Sequence, residues 1–191
     1  HPTSLADVGA AADEVGLPLV IKAPLEGTNG VAYVDRREDV EAAVAAYVER
    51  YQLPGGELPL LQRRITGPAF GVFLTYQDGR CRRVMAHRRV REFPPTGGES
   101  CCCEVVNDPG LFEIGRRLLD ALEWHGVAMV ELKRDNGDGR TYLMEINPKF
   151  WGSLDLALAA GADFPGDLVR IASGEELPTV ASPLDGLRMC W

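Results

Sequence analysis

Residues 127–146 hold two apolar strand segments, VAMVELKR and TYLMEI, on either side of the turn signal Asn136-Gly137-Asp138-Gly139, and each segment carries a glutamate among apolar neighbours. The expectation is that the two strands pair across this turn. Side chains on a strand repeat every two residues, so Glu145 and Asn147 share one face. Equal steps from the turn centre bring Glu131 near Asn147 or Glu145. Two carboxylates and an amide oxygen on one face make a hard oxygen site suited to magnesium, which keeps waters and phosphate oxygens as further ligands. The alternative for the same residues is a solvated polar sheet face.

The rest of the chain alternates helix and strand in two rhythms. Residues 4–15 read as a helix with Ser4 and Asp7 in capping-box spacing, an apolar face of Leu5, Val8, Ala11, Ala12 and Val15, and Gly16 as terminator. Strands at 17–23 and 30–34 then flank PLEGTNG. A helix opened by Asp35 and Glu38 buries Val40, Ala43, Val44, Tyr47 and Val48, and a strand follows at 58–65. Beyond residue 66 come paired strands at 70–77 and 80–90 around Asp78-Gly79, and a strand at 101–106. Asp108 and Pro109 open a helix with Leu111, Ile114, Leu118, Leu119 and Leu122 on its apolar face and Gly126 as its stop. Short helices at 154–160 and 167–172 follow the 127–146 hairpin, and residues 182–191 read as a strand reaching Trp191. This pattern predicts an α+β chain of two subdomains, 1–66 and 67–191.

Composition bounds the partners. With 191 residues, 46% apolar and 25% charged, the chain is an ordinary globular protein, and its net charge of -8 argues against a polyanion binder such as a nucleic-acid protein. The charge is uneven: residues 63–91 hold eight arginines against the single acid Asp78. No apolar run has the length of a membrane span and no signal-peptide pattern opens the chain, so the expected location is cytoplasmic with no membrane partner. The five cysteines include no C-x-x-C pair, and Cys101, Cys102 and Cys103 alternate faces on a strand, so they cannot converge on one ion. His125, beside Gly126, is expected to cap a helix C-terminus.

Two further features point to phosphate. Lys22 ends a strand and precedes the glycine-containing turn from Gly27 to Gly30, whose amides would approach phosphate while the ammonium supplies charge; the alternative is a plain hairpin. In HRRVREFPPTGGES, residues 87–100, His87, Arg89 and Arg91 alternate along a strand leading into a loop with Gly97 and Gly98. Such a loop would close over a phosphate held by arginine forks, and the alternative is an exposed basic strand.

Taken in order, GLPLVIKAPLEGTNGVAYV, LLQRRITG, MVELKRD and MEINPKFWGS resemble the ATP-grasp superfamily over about residues 15–165, most closely carbamoyl-phosphate-synthase-like members. The resemblance implies two α+β subdomains with ATP between them. It implies that Lys22 contacts the phosphates, that Gly27 and Gly30 cover them, and that Gln62, Arg63 and Ile65 lie beside adenine. Glu131, Glu145 and Asn147 would hold one or two Mg2+ ions, with Mn2+ as the alternative, and Lys149 would stabilise the transferring phosphate. The implied reaction phosphorylates a small carboxylate, and an amine or similar nucleophile then attacks the acylphosphate.

Three features depart from the pattern. Ala69 stands where an acid often contacts ribose, and Lys149 stands where arginine is usual. Only 21 residues precede Lys22, so a missing N-terminal domain or partner is expected to complete the acceptor site. A homodimer is a further partner expectation. The alternative function is a non-catalytic nucleotide-binding or regulatory module that retains the fold.

Overall fold

The computed structural model describes residues 2, 4–23, 30–53, 57–94, 98–180, 183 and 185–191. Its chain divides into two units, His1–Ile65 and Thr66–Trp191.

In the first unit a 3-10 turn, Leu5–Asp7, leads into helix α1 (Val8–Val15). The expected helix over 4–15 therefore starts with a tighter turn, and Ser4 Oγ donates to Asp7 Oδ2 at 2.8 Å, with neither side chain capping a backbone N–H. Strands β1 (Leu19–Lys22), β2 (Val31–Val34) and β3 (Leu60–Arg63) form an antiparallel sheet in the order β2-β1-β3. Helix α2 (Val40–Tyr51) follows β2. The period of two in β1 separates the faces: Leu19 and Ile21 are fully buried with Val8, Ala12, Val40 and Val44, whereas Val20 and Lys22 turn to the other face. Each fully buried aliphatic side chain in this core contributes about 1.5–3 kcal/mol.

The second unit is built on six antiparallel strands: β4 (Ala69–Gln77), β5 (Arg80–Phe93), β6 (Glu99–Val106), β7 (Gly126–Arg134), β8 (Thr141–Asn147) and β9 (Arg188–Cys190), in the order β8-β7-β4-β5-β6-β9. The tight turn between β4 and β5 sits at Asp78 and Gly79, both at positive φ. Helix α3 (Pro109–Ala121) covers one face, packing on Phe70, Val72, Leu74, Val84 and Val130. Asp108 caps it as expected, accepting from the N–H groups of Gly110 and Leu111 at 2.9 and 3.3 Å. Its apolar stripe ends earlier than the spacing predicts. Leu122 is 54% exposed, Glu123 turns left-handed, and Gly126 opens β7 without ending the helix.

Helices α4 (Leu154–Ala159) and α5 (Phe164–Ala172) cover the other face over Phe73, Met85, Val127 and Met129. Beneath α5 the guanidinium of Arg83 grips Asp167 through Nε and Nη2 at 2.5 and 2.9 Å, and both residues are buried. Cys102 on β6 and Cys190 on β9 form a disulfide across paired positions, 88 residues apart in sequence. No helix among the described residues is long and apolar enough to cross a membrane.

Candidate functional site

Alternation along β7 puts Val127, Met129, Glu131 and Lys133 on the face that α4 and α5 cover. The burial stops after Met129, so Glu131 emerges half-buried at the end of that cover. A bulge on β8 decides what it meets. The hairpin begins in the register Arg134↔Thr141, Lys133↔Tyr142 and Leu132↔Leu143, then shifts so that Glu131 faces Glu145 and Met129 faces Asn147. Continued without the shift, that register would set Glu131 opposite Met144 and turn Glu145 to the α3 face. Absorbing Met144 in the bulge thus keeps the carboxylates and the amide on one surface.

The gathered groups are in contact. Asn147 Nδ2 donates to Glu145 Oε1 at 2.6 Å and lies 3.4 Å from Glu131 Oε1. Arg89 Nη2, on β5, lies 2.8 Å from Glu131 Oε2. Burial raises the Glu131 carboxyl above its usual range, the Glu145 charge adds to the rise, and Arg89 opposes it. Lys149 and Arg89 line the same cavity of about 390 Å³ as the three oxygen-bearing side chains.

His87 follows a different course from the expected cationic face. It lies on the same cross-strand row as Gly71, Glu131 and Glu145, but it is 3% exposed. Its Nδ1 is 3.2 Å from Ser153 Oγ, and its ring meets Phe73 edge-on at 4.7 Å. Burial, and then the nearby Arg89 charge, push its pKa down to about 3, so it is neutral at physiological pH. A bulge after Arg89 also breaks the alternation towards Arg91. The arginine stretch is largely committed elsewhere: Arg82 pairs with Glu176, Arg83 with Asp167 and Arg88 with Glu104. His125 is no helix cap either, because its Nδ1 accepts the N–H of Asp78 at 3.2 Å.

The remaining predicted residues fall as follows. Lys22 and Gln62 share the face of the three-stranded sheet opposite its helices. The Arg64 N–H donates to Pro18 O at 2.8 Å, which turns the backbone of Arg63 to the outer edge of β3, and Ile65 is buried just beyond. Gly30 has a packing reason of its own: a Cβ there would lie 2.1 Å from the Tyr51 ring, and its carbonyl accepts from Tyr47 Oη at 2.6 Å. Gly98 closes against the Phe93 carbonyl. Gly27 and Gly97 lie outside the described residues. Phe150, Trp151, Ser153, Ser100 and Trp191 also line the cavity and carry no sequence assignment. The one available signal was the aromatic pair directly after Asn-Pro-Lys.

Two carboxylates and an amide fit a divalent cation that takes most of its ligands from water and phosphate. The set has too few acidic side chains to form a cage: among the described residues no three His, Cys, Asp or Glu side chains cluster as a metal site. The amide as placed donates to both acids, and its oxygen would face a cation after a flip of the terminal group.

The family described as "ATP-grasp in the biosynthetic pathway with Ter operon" matches residues 59–191. The chain belongs to this ATP-grasp family. It is similar to a D-alanine–D-alanine ligase of Desulforudis audaxviator, with 42% identity over 117 residues, which are 61% of this chain and 31% of that ligase. Its fold is that of ATP-grasp structures. The biotin carboxylase–βγ-ATP complex of Campylobacter jejuni superposes with a TM-score of 0.72 at 18% identity, over 92% of this chain and 41% of that one. The biotin carboxylase domain of Hydrogenobacter thermophilus 2-oxoglutarate carboxylase, in complex with MgADP, ADP and bicarbonate, gives 0.68 at 17%, over 98% and 44%. The chain therefore spans less than half the length of these relatives.

Proposed function

We propose that this ATP-grasp chain binds ATP with Mg2+ and serves a ligase that activates a small carboxylate as an acylphosphate for attack by an amine, in the carbamoyl-phosphate-synthase-like manner. The observation that carries this reading is the convergence of Glu131, Glu145 and Asn147 beside Arg89 and Lys149. Glu131, Glu145 and Asn147 would hold the metal, which when bound neutralises charge on the β- and γ-phosphates. Arg89 and Lys149 would bind oxygens of the transferring phosphoryl group. Lys22, Gly27 and Gly30, with Gly97 and Gly98, would contact the phosphates, and Gln62, Arg63 and Ile65 the adenine.

In the reaction an acceptor carboxylate oxygen attacks the γ-phosphorus as the bond to ADP breaks. The amine nitrogen then attacks the acyl carbon, loses its proton and expels inorganic phosphate. Nothing in this sequence needs a protein nucleophile, so the side chains act by position and charge. The location we propose is the cytoplasm.

The test is a calorimetric titration with ATP and Mg2+, comparing Glu145→Ala with Glu104→Ala, whose carboxylate pairs with Arg88 and Arg188 outside the cluster. Glu145→Ala should reduce metal-dependent nucleotide affinity by about tenfold or more, and Glu104→Ala by far less. Equal effects, or no nucleotide binding by the unmodified chain, would refute the reading.

A further inference from the structure

We infer that the cavity beside the carboxylate cluster selects a carboxylic acid with an aromatic or similarly broad apolar body; this rests on the function proposed above and names its acceptor class. The cavity has two chemically distinct sides. Arg89 and Lys149 line it together with the oxygen cluster, and they suit an anionic end group. The same cavity is lined by Trp151, Phe150 and Trp191.

Trp151 is a fixed surface. Its ring stacks on Phe73 at 4.1 Å, meets Phe164 edge-on at 5.0 Å, and is 6% exposed. Phe150 inclines to Trp151 at 6.3 Å and remains 38% exposed, and Trp191 is 55% exposed. Moving the apolar surface of exposed aromatic rings from water into an apolar contact is favourable, and two such rings beside a braced third, around one cavity, mark a place where apolar surface is covered on binding. A compact acid such as acetate would reach the cations and leave these rings wet. An acid carrying a phenyl-sized group would satisfy both sides, because its ring gains burial and offset or edge contacts that a short chain lacks. The volume of about 390 Å³ falls within the usual range for small-molecule sites, roughly 300–1,000 Å³.

The experiment measures binding of propionate, 3-phenylpropionate and 3-phenylpropanol to the full chain by calorimetry, with and without Mg2+ and a non-hydrolysable ATP analogue. The phenyl acid should bind at least about tenfold more tightly than propionate, and also at least about tenfold more tightly than the alcohol that lacks the carboxylate. Phe150→Ala should bring the ratio between the two acids to within about twofold. Trp151→Leu, checked for folding by circular dichroism, provides a second variant, and the half-exposed Phe150 keeps the test valid should Trp151→Leu unfold.

Equal affinity for the two acids would overturn the inference, as would a ratio that Phe150→Ala leaves intact. So would a Phe150→Ala variant that loses nucleotide affinity while keeping the acid ratio, since the aromatic wall would then hold the base of the nucleotide. Tight phenyl-acid binding with no nucleotide binding would sustain the cavity's selectivity and sink the ligase reading instead.

Discussion

Arg89 on β5 reaches across β4 to Glu131 on β7, placing Nη2 2.8 Å from Oε2. The intervening strand presents only Gly71 opposite Glu131 and Ala69 opposite Lys133, so no bulky side chain stands in the path. The guanidinium offsets part of the charge of a carboxylate that a metal would otherwise compensate. Arg89→Met should therefore strengthen binding of Mg2+ alone by about three- to tenfold and weaken binding of the metal–nucleotide complex. Calorimetry with metal alone and then with nucleotide checks both arms, and an unchanged metal affinity would show that Arg89 does not compete for Glu131.

The bulge at Met144 gives a sharper test of the carboxylate cluster. Deleting Met144 removes only the extra residue, so the register runs on unbroken with Glu145 still opposite Glu131 and Asn147 opposite Met129, whereas deleting Ile146 makes Glu145 and Asn147 neighbours on opposite faces of the sheet. Metal-dependent nucleotide binding should survive the Met144 deletion and disappear in the Ile146 deletion, while Ile146→Ala, which keeps the spacing, should retain it. Binding preserved in the Ile146 deletion would show that the shared face of Glu145 and Asn147 is not what assembles the site.

Gly71 has a second role besides leaving the path open. A Cβ there would approach Phe73 Cζ to 2.8 Å and His87 Nε2 to 2.9 Å, and both neighbours are buried rings. Gly71→Val should cost about 1–3 kcal/mol of stability in urea unfolding, the usual result of overpacking. A stability loss below about 0.5 kcal/mol would mean that the two rings can move aside.

Buried ion pairing gives a prediction of opposite character. Asp167→Ala leaves the buried Arg83 guanidinium without its partner and should cost about 3–5 kcal/mol, whereas Arg83→Met combined with Asp167→Leu should recover most of that loss. Failure of the double variant to recover stability would assign the pair a role beyond its own desolvation.

How much of this was legible depended on the range of the interaction. The shared face of Glu145 and Asn147 follows from a period of two, and the Asp108 cap and the Asp78-Gly79 turn are local chemistry, so all three could be read directly. Whether Glu131 would face Glu145 or Asn147 could not, because a bulge is one extra residue whose position depends on packing across the sheet. Nor could the fate of His87. Its neighbours in sequence are arginines, but Phe73 and Ser153, which bury it, come from β4 and from the turn before α4. The Cys102–Cys190 pair was hidden for the same reason. Leu122 misled differently, since the apolar period continues through it although the helix stops at Ala121.

His87 carries the prediction for pH. Its pKa is about 3 in the folded chain, against about 6.5 when unfolded. Between those values the unfolded chain binds a proton that the folded chain refuses, so stability rises with pH across the window and is lost as pH falls below 6.5. From pH 7 to pH 5 this group alone should remove about 2 kcal/mol. Asp13, Glu41, Glu104 and Asp108, which arginine partners hold below the usual carboxylate range, contribute below that interval, whereas burial first and then Glu145 raise Glu131. Comparison with His87→Gln isolates the histidine: the variant will be less stable at every pH, but its loss between pH 7 and 5 should be smaller than that of the unmodified chain by about 2 kcal/mol. Urea unfolding at the two pH values measures the difference. Equal losses in both proteins would mean that His87 takes up its proton in the folded state, and that the cover formed by Phe73 and Ser153 admits water to the ring.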